Sequence, residues 1–309
     1  MSKMPNDIPQ RQNEPEFINR IAASSRAYEI VKSTGKWQNV AAVIAALAGF
    51  GAKAFYPEAS GAAALFAGGV LLADFVHSEP RQKRFRNLGA RIQEVFDTQL
   101  LRISWNNHRC QSPPAPEEIN RLASEFKNNE PTDRLVDWYS PNVGSLPLEY
   151  ARFVCQRANM HWDMSLRRVY SAIFRGITAA IVVSICVVAL ATKWDAAQIA
   201  ISLIMPVLPG TIKLLREAKK HGESADVSER VKRMLESAWT KALSDKADAA
   251  SMELEARRLQ DELFERRQGS PTVPQWLYMR LKARYEDDMH FGAGEMVKEA
   301  QAKLGGAGD

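Results

Sequence analysis

Tryptophan, tyrosine and arginine residues occur together in two stretches of the chain, 137–168 and 274–284. Arginine side chains bind phosphate groups through paired hydrogen bonds, and aromatic rings stack on nucleobases. The candidate ligand-binding residues are Trp138, Tyr139, Arg152, Arg157, Asn159, Trp162, Arg167, Arg168, Trp276 and Tyr278. These residue types predict a ligand site for a small nucleotide.

The same residues also have a structural interpretation, which the sequence leaves open. Trp138, Trp162 and Trp276 could anchor the core, as large aromatic side chains commonly do. The arginines could pair with nearby carboxylates such as Asp137 and Asp163. Residue types alone do not separate a ligand site from a core held by aromatic packing and ion pairs.

The chain carries no sequence pattern for catalysis or for a bound cofactor. It has no glycine-rich phosphate-binding loop, and its five histidines are not spaced as metal ligands. Its three cysteines are scattered, which is typical of a reducing compartment. We therefore expect no enzyme activity, catalytic residue, metal or cofactor; a membrane-bound enzyme with an unrecognised site is an alternative.

Two long apolar blocks must position the candidate residues. The block at 177–212 contains two runs without an ionisable residue, separated by a polar break at 192–195, and the block at 37–78 turns at 57–60. Crossing about 30 Å of hydrocarbon requires roughly 20 apolar residues. The predicted fold class is an all-α membrane protein with two transmembrane helical hairpins, four spans in all, and cytosolic helical regions. The first block has an alternative interpretation as a buried, alanine-rich hairpin of a soluble protein.

Basic residues flank both blocks on the same side, and the two turns carry few of them. Because positively charged loops stay in the cytoplasm, both chain ends and the region between the hairpins are predicted to be cytosolic. The predicted segments are 1–36 (cytosolic N-terminal helix), 37–78 (hairpin), 79–169 (cytosolic helical insert), 170–212 (hairpin) and 213–309 (cytosolic C-terminal helical region).

Glycine and proline residues predict where helices end or bend. Gly35 is expected to end the N-terminal helix as a C-cap, and Gly269 to stop a charged helix that begins near 226. Pro206 and Pro209 leave carbonyl groups unpaired in the last span and mark a hinge. The alternative is that these two prolines only begin the exit from the bilayer.

Several short motifs resemble those of a known family. Residues 8–13, Ile-Pro-Gln-Arg-Gln-Asn, resemble the opening of the bacterial SMODS-associated four-transmembrane effectors. The stretches at 137–139, 155–159, 162–163 and 166–168 resemble the central block of that family, and Pro-Gln-Trp-Leu-Tyr at 274–278 resembles its C-terminal signature. Together with the two hairpins, the resemblance covers nearly the whole chain.

This resemblance implies an effector of cyclic-oligonucleotide-based antiphage signalling that forms pores in the bacterial inner membrane. A partner nucleotidyltransferase would make the cyclic oligonucleotide ligand, and the effector would then permeabilise the lipid bilayer. Four spans are too few for a roomy pore, so a homo-oligomer is expected; direct DNA binding is not. The alternative is a non-conducting membrane scaffold whose cytosolic helices bind a protein partner.

Overall fold

A computed structural model describes residues 5–55, 58, 60–192, 194–200, 204–244 and 248–306. These residues form helices and turns and contain no β-strand, which confirms the all-α class. The helices are α1 Ile8–Arg11, α2 Pro15–Phe55, α3 Ser60–Ala73, α4 Glu79–Leu100, α5 Asn107–Cys110, α6 Pro116–Lys127, α7 Leu148–Ala191, α8 Ala196–Ile199, α9 Met205–Ala242, α10 Ala249–Gly269 and α11 Gln275–Gly306. A π-helix, Asp74–Ser78, precedes α4, and short 3-10 helices lie at Asp133–Leu135 and Pro141–Ser145.

The chain divides into two compact units. The first comprises the described residues of Met1–Glu29, Phe85–Leu166 and Ser224–Asp309; the second comprises those of Ile30–Arg84 and Arg167–Glu223. Helices α2, α4, α7 and α9 each contribute residues to both units. The second unit therefore draws on the two apolar blocks, and the first on the charged regions.

One predicted helix end and the course of one predicted helix are wrong, whereas the predicted end at Gly269 is confirmed, because α10 ends there. Gly35 does not end the N-terminal helix: α2 runs through it to Phe55, and no described glycine takes a positive φ, the conformation that a glycine C-cap uses. The charged C-terminal helix is two helices, because α9 ends at Ala242 and α10 begins at Ala249. The Asp248 side chain caps α10 by accepting a 2.9 Å hydrogen bond from the Ser251 backbone N–H, which favours a helix start there.

Aromatic packing fills the core of the first unit. The rings of Phe17 and Phe96 meet edge to face with centroids 5.8 Å apart, and Tyr139 lies 6.1 Å from Phe96 on its other side. The ring of Trp239 contacts Tyr150 and Phe153. The first group of contacts joins α2 and α4 with the loop that carries Tyr139, and the second joins α7 with α9, so the core connects segments distant in sequence.

Within the second unit, helices pair at the ends that carry the basic residues. The Gln82 Nε2 atom of α4 donates a 3.0 Å hydrogen bond to Gln38 Oε1 of α2. The Ser171 hydroxyl of α7 donates a 2.7 Å hydrogen bond to the Ala218 carbonyl of α9. Each of these contacts joins the helix before one apolar block to the helix after it.

The second unit exposes large apolar side chains along its helices. Among the described helices, α7 alone is long and apolar enough to cross a membrane, and only 6% of its apolar window is buried within the protein. A core helix of a soluble protein would bury most of that window. The other exposed apolar residues of this unit include Trp37, Ile44, Leu65, Phe66, Leu72, Phe75, Met205 and Leu208.

The remaining spans are not settled by the described residues. Helix α3 has 14 residues, and the fourth apolar run contains 201–203, which lie outside the described residues. Pro206 falls in the first turn of α9, where a missing backbone N–H costs little, whereas Pro209 is the fifth residue of α9, where the missing N–H removes the helical partner of the Met205 carbonyl. The hinge assigned to them stays a prediction.

Candidate functional site

The N-terminal segment holds the loop that carries the Asp-Trp-Tyr motif. Gln12 brackets Tyr139: its Oε1 accepts the Tyr139 backbone N–H at 2.8 Å, and its Nε2 donates to the Tyr139 carbonyl at 3.1 Å. Asn13 makes two hydrogen bonds with Asp137. Its side chain accepts the Asp137 backbone N–H at 2.9 Å and donates to the Asp137 carboxylate at 2.7 Å. Asp137 has a φ of +52°, so these bonds hold a backbone conformation that asparagine and aspartate tolerate better than most residues.

A third N-terminal side chain extends this arrangement. The Asn6 Nδ2 atom donates to the carbonyls of Val143 and Leu146, both at 2.7 Å. We call Asn6, Gln12 and Asn13 the N-terminal clamp. The two motifs of the family resemblance, at 8–13 and 137–139, are therefore hydrogen-bonded to each other. The side-chain amides of the clamp satisfy backbone groups of the loop that would otherwise lack partners.

Tyr139 belongs to a polar network that is buried inside the first unit. Its side chain is 1% exposed, and its hydroxyl donates a 2.6 Å hydrogen bond to Asp97. Asn159 donates to the same hydroxyl at 2.8 Å, and Arg267 pairs with the other Asp97 oxygen at 2.6 Å. The hydroxyl is thus saturated as donor and acceptor without solvent.

Glu94 is the second buried carboxylate of the network. Arg257 pairs with it at 2.8 Å, and Gln260 Nε2 donates to both Glu94 and Asp97, at 2.9 and 3.0 Å. Gln156 of α7 donates to Gln260 Oε1 at 3.1 Å. We call the whole set the buried acidic network; its members are Glu94, Asp97, Tyr139, Gln156, Asn159, Arg257, Gln260 and Arg267.

Charge balance makes this network tolerable in the core. Two carboxylates face two arginines, as buried charges require. Burial nevertheless raises the pKa of Glu94, and the attraction of Arg257 offsets this only in part. Burial by itself would lower the pKa of Arg267. The attraction of Asp97 and the other acidic groups nearby together outweighs burial, so the pKa of Arg267 is raised. Burial also raises the pKa of Tyr139 well above its ordinary value.

Sequence reasoning missed six members of this network: Glu94, Asp97, Gln156, Arg257, Gln260 and Arg267. A signal was present in their spacing. Glu94 and Asp97 are three residues apart among the apolar residues of α4, and Arg257, Gln260 and Arg267 share one face of α10 at helical spacing. Ionisable residues on an otherwise apolar face indicate partners on a neighbouring helix.

Arg152, another candidate, secures the end of α4. Its Nε atom donates to the Leu101 carbonyl at 2.8 Å, and its Nη2 atom donates to the Arg102 carbonyl at 2.7 Å. Arg152 is 6% exposed and lies 3.7 Å from Glu253. A cation at a helix C-terminus satisfies carbonyls that lack helical partners.

Arg157 lies apart from the network, in a groove between α7 and α11. The groove is narrow, with a volume of about 10 Å³, and is lined by Val154, Arg157, Ala158, Met289, Ala293 and Met296. The guanidinium group lies against the backbone of Gly292, where an added Cβ would come within 2.5 Å of Arg157 Nη1. Among the described residues, this side chain has no hydrogen bond or ion pair.

The other candidates are dispersed. Trp138 is half-buried beside the clamp, and Trp276 is 58% exposed at the start of α11. Arg167 is buried and Arg168 exposed, and both belong to the second unit. The side chains of Trp162 and Tyr278 lie outside the described residues. The structure thus brings Tyr139 and Asn159 together, places Arg152 and Arg157 elsewhere in the same unit, and leaves the ligand assignment of all ten a prediction.

In this geometry, burial limits what most of these residues do chemically. Tyr139 and Arg152 are buried and use their polar atoms on other parts of the protein, so a ligand reaches them only if the first unit opens. The part of the chain that the structure describes holds no group of histidine, cysteine or carboxylate residues arranged for a metal ion. Arg157, by contrast, is half-buried and has hydrogen-bond donors that no described residue uses.

Comparison with known proteins agrees with the motif resemblance. A "Probable CBASS effector molecule" of Bacillus cereus (strain VD146) is 26% identical over 209 residues, which cover 65% of this chain and 66% of that protein. The alignment therefore spans slightly less than two thirds of the relative's length. No solved structure matches the chain. Residues 6–296 match the family described as the SMODS-associating 4TM effector domain, and the chain belongs to this family.

Proposed function

We propose that this protein is an inner-membrane effector of antiphage defence that forms a pore when it binds a cyclic oligonucleotide made by a partner nucleotidyltransferase. The apolar surface of the second unit carries the proposal: α7 has a membrane-length apolar window that is only 6% buried. Water does not solvate such a surface favourably, and a bilayer does. Family membership and the similar protein of Bacillus cereus support the role in defence.

The proposed topology has four spans with both chain ends in the cytosol. It rests on exposed basic residues that flank the apolar segments of the second unit: Arg81, Lys83, Arg84, Arg168, Arg175, Lys213, Arg216, Lys219 and Lys220. Positive charge of this density favours the cytosolic side. By the course of the chain, the turns at 56–59 and 192–195 then face the periplasm.

Helix α7 supplies a route from a cytosolic signal to the membrane. It is a single helix over Leu148–Ala191, so Gln156, Arg157 and Asn159 lie on the same helix as the apolar window. A ligand opens the pore only by the difference between its affinities for the open and closed states. One four-span subunit is too small to enclose a wide pore, so we propose that the open state is a homo-oligomer without catalytic activity.

Dye release from liposomes tests this function. Purified full-length protein should release a trapped dye when a cyclic di- or trinucleotide is added, and it should not respond to linear dinucleotides. Protein-free vesicles are the control for ligand effects on the lipid. Absence of release with every cyclic nucleotide, from vesicles that demonstrably contain the protein, would contradict the pore.

A pair of matched variants tests the membrane assignment separately. Val183 in α7 and Leu254 in α10 are exposed apolar residues, 61% and 56% accessible, in the second and first unit. We expect Val183→Arg to reduce membrane insertion, because an arginine near the bilayer centre costs roughly 2.5–3.5 kcal/mol. Leu254→Arg should insert like the wild type. Equal insertion of both variants, measured by carbonate extraction of membranes, would argue against α7 as a span.

A non-conducting scaffold is the second candidate, and α11 provides the observation that favours it. Trp276, Met279 and Phe291 are exposed, at 58%, 53% and 72%, on one face of this helix. Exposed apolar patches on soluble parts often bind proteins. A scaffold would insert into membranes without releasing dye, and its function would depend on this face of α11.

A further inference from the structure

We infer that the paired basic ends of α7 and α9 bind the phosphate groups of anionic phospholipids on the cytosolic side of the membrane. This surface rests on the proposed function, which places both helices in a bilayer, and it adds a lipid partner of stated charge. All of its residues belong to the second unit. We call it the basic band; its members are the exposed residues Arg168, Arg175, Lys213, Arg216, Lys219 and Lys220.

The excess positive charge of this region equals that of the whole chain. Segments 167–175 and 213–223 contain seven arginine and lysine residues against two glutamates, a net charge of +5. The full sequence has 41 arginine and lysine residues against 36 aspartates and glutamates, which is also +5, so the rest of the chain has no net charge. A surface on which one sign of charge is concentrated attracts ligands of the opposite sign.

Contacts between the two helices bring their cations together. The Ser171 hydroxyl of α7 donates to the Ala218 carbonyl of α9 at 2.7 Å, and a Cβ added to Gly222 would lie 3.3 Å from Arg175 Nη2. The Arg175 guanidinium therefore lies against α9 at Gly222, which is three residues along the chain from Lys219. Cations brought together from two helices repel each other, and a phosphate bound among them offsets that repulsion.

The two glutamates of this region leave most of its charge in place. Lys219 lies 3.7 Å from Glu223, and Lys220 lies 3.1 Å from Glu217. Both pairs join neighbouring turns of α9, and their lysine side chains are 76% and 60% exposed. Exposed ion pairs of this kind are weak, so they do not prevent these lysines from binding a phosphate.

Exposed apolar side chains among the cations point to a lipid instead of a soluble anion. Val169 and Ile177 of α7 are 37% and 44% exposed, and Ile212 and Leu215 of α9 are 39% and 48% exposed. Each lies within two residues of a member of the basic band. A phospholipid offers a phosphate and acyl chains in one molecule, which matches this alternation, and basic sites between membrane helices on the cytoplasmic side bind anionic headgroups.

Two matched triple variants test the basic band. The band variant neutralises one cation of α7 and two of α9: Arg175→Gln, Arg216→Gln and Lys219→Gln. The control variant neutralises three exposed cations of the first unit: Arg233→Gln, Arg258→Gln and Lys298→Gln. Each variant removes three positive charges, so a difference between them reports the position of the charge and not its amount.

The experiment titrates the detergent-solubilised full-length protein with dioctanoyl phosphatidylglycerol, which is anionic, and with dioctanoyl phosphatidylcholine, which has no net charge. We expect the wild type and the control variant to bind phosphatidylglycerol more tightly. This preference should fall by about 10- to 100-fold in the band variant, because each cation near an anionic lipid surface contributes roughly fivefold in affinity. The melting temperature in phosphatidylcholine should be the same for the band variant and the wild type.

Several outcomes would overturn the basic band. Equal binding of both lipids by the wild type, or an equal loss of preference in the two variants, would do so. A band variant that melts lower in both lipids alike would show a structural role instead. Glycerol phosphate that binds as tightly as phosphatidylglycerol would exclude a lipid, and competition by cyclic di- or trinucleotides would assign the band to the signal ligand.

These results are independent of the pore. Failure of the lipid preference, in a protein that still releases dye with a cyclic nucleotide, would overturn the basic band and leave the proposed function standing. A lipid preference that depends on the band, in a protein that releases no dye, would support the band and contradict the pore.

Discussion

Glu94 shows at the scale of one residue how burial sets chemistry. The carboxylate is 0% exposed, and burial raises its pKa above the ordinary value of 4.5. The folded protein therefore holds the Glu94 proton more tightly than the unfolded chain does. It follows that this group contributes less stability as pH rises from 4.5 through its raised pKa.

We predict that Glu94→Gln weakens this pH dependence. The free energy of unfolding of the wild type should include a decrease, as pH rises from 4.5 through the raised pKa of Glu94, that the variant lacks, because glutamine does not titrate. Chemical unfolding followed by circular dichroism at a series of pH values measures it. Glu295→Gln, at an exposed position of α11, is the control and should keep the wild-type profile. Identical profiles for all three proteins would refute the assignment.

Tyr139 illustrates why residue type alone misleads. Its ring packs against Phe96, its side chain is 1% exposed and its hydroxyl bonds to Asp97 and Asn159, so the aromatic side chain offers no free face to a ligand. Arg152 and Arg157 are the same type of residue. Arg152 donates its hydrogen bonds to backbone carbonyls, whereas Arg157 has no hydrogen bond or ion pair among the described residues. The burial and the hydrogen bonds of each residue therefore separate the candidates with a structural role from those that are still available to a ligand.

At the scale of elements, the N-terminal clamp fixes a loop by side-chain amides. The Tyr139 backbone N–H and carbonyl both bond to Gln12, and the loop lacks strand or helix partners at that point. Because Tyr139 also anchors the buried acidic network, the clamp positions that network. The N-terminal segment is thus a structural part of the first unit.

We predict that Gln12→Ala destabilises the first unit by about 1–3 kcal/mol, the cost of leaving buried polar groups unsatisfied. Thermal unfolding of the detergent-solubilised protein measures the change, and limited proteolysis should show faster cleavage in 133–146. Asn142→Ala, at an exposed position of the same loop, should be close to wild type. Equal stability of both variants would show that the clamp contributes little.

Helices α4 and α7 carry both network residues and residues of the second unit. Glu94 and Asp97 lie on α4, which follows the π-helix Asp74–Ser78 after α3; Gln156 and Asn159 lie on α7. A π-helix often marks a functional site in a helix. In the proposed function, ligand binding on the first unit acts on the hairpins through these two helices.

At the scale of the whole molecule, topology is the property with the widest consequences. We predict that cysteines placed at Ser60 and Asp195 react with a membrane-impermeant maleimide from the periplasmic side only. A Cys186→Ser background removes the exposed native thiol, and the two buried cysteines stay. Ser124→Cys, exposed on α6, is the cytosolic control and should react only after the membrane is opened. Labelling of Ser60→Cys or Asp195→Cys from the cytosolic side would overturn the orientation.

The sequence by itself determined the helical class, the two apolar blocks and the family. Hydropathy and helical periodicity are local properties, so they can be read from the sequence without knowledge of the fold. The motifs at 8–13 and 137–139 were visible as strings, and they sufficed for recognition without indicating what they do. Helix ends at Gly35 and within 226–267 failed because a glycine permits a C-cap without requiring one, and because capping depends on local hydrogen bonds such as that of Asp248.

Only the tertiary structure decided which candidate residues are structural. Gln12 and Tyr139 are 127 residues apart, and Arg267 and Asp97 are 170 apart; no local pattern reports bonds across such distances. Folding brought Tyr139, Asn159 and Arg152 into contact with buried partners and left Arg157 beside Gly292 in a groove. The physical reason is that a polar side chain's role is set by the partners that burial gives it, and these come from remote parts of the chain.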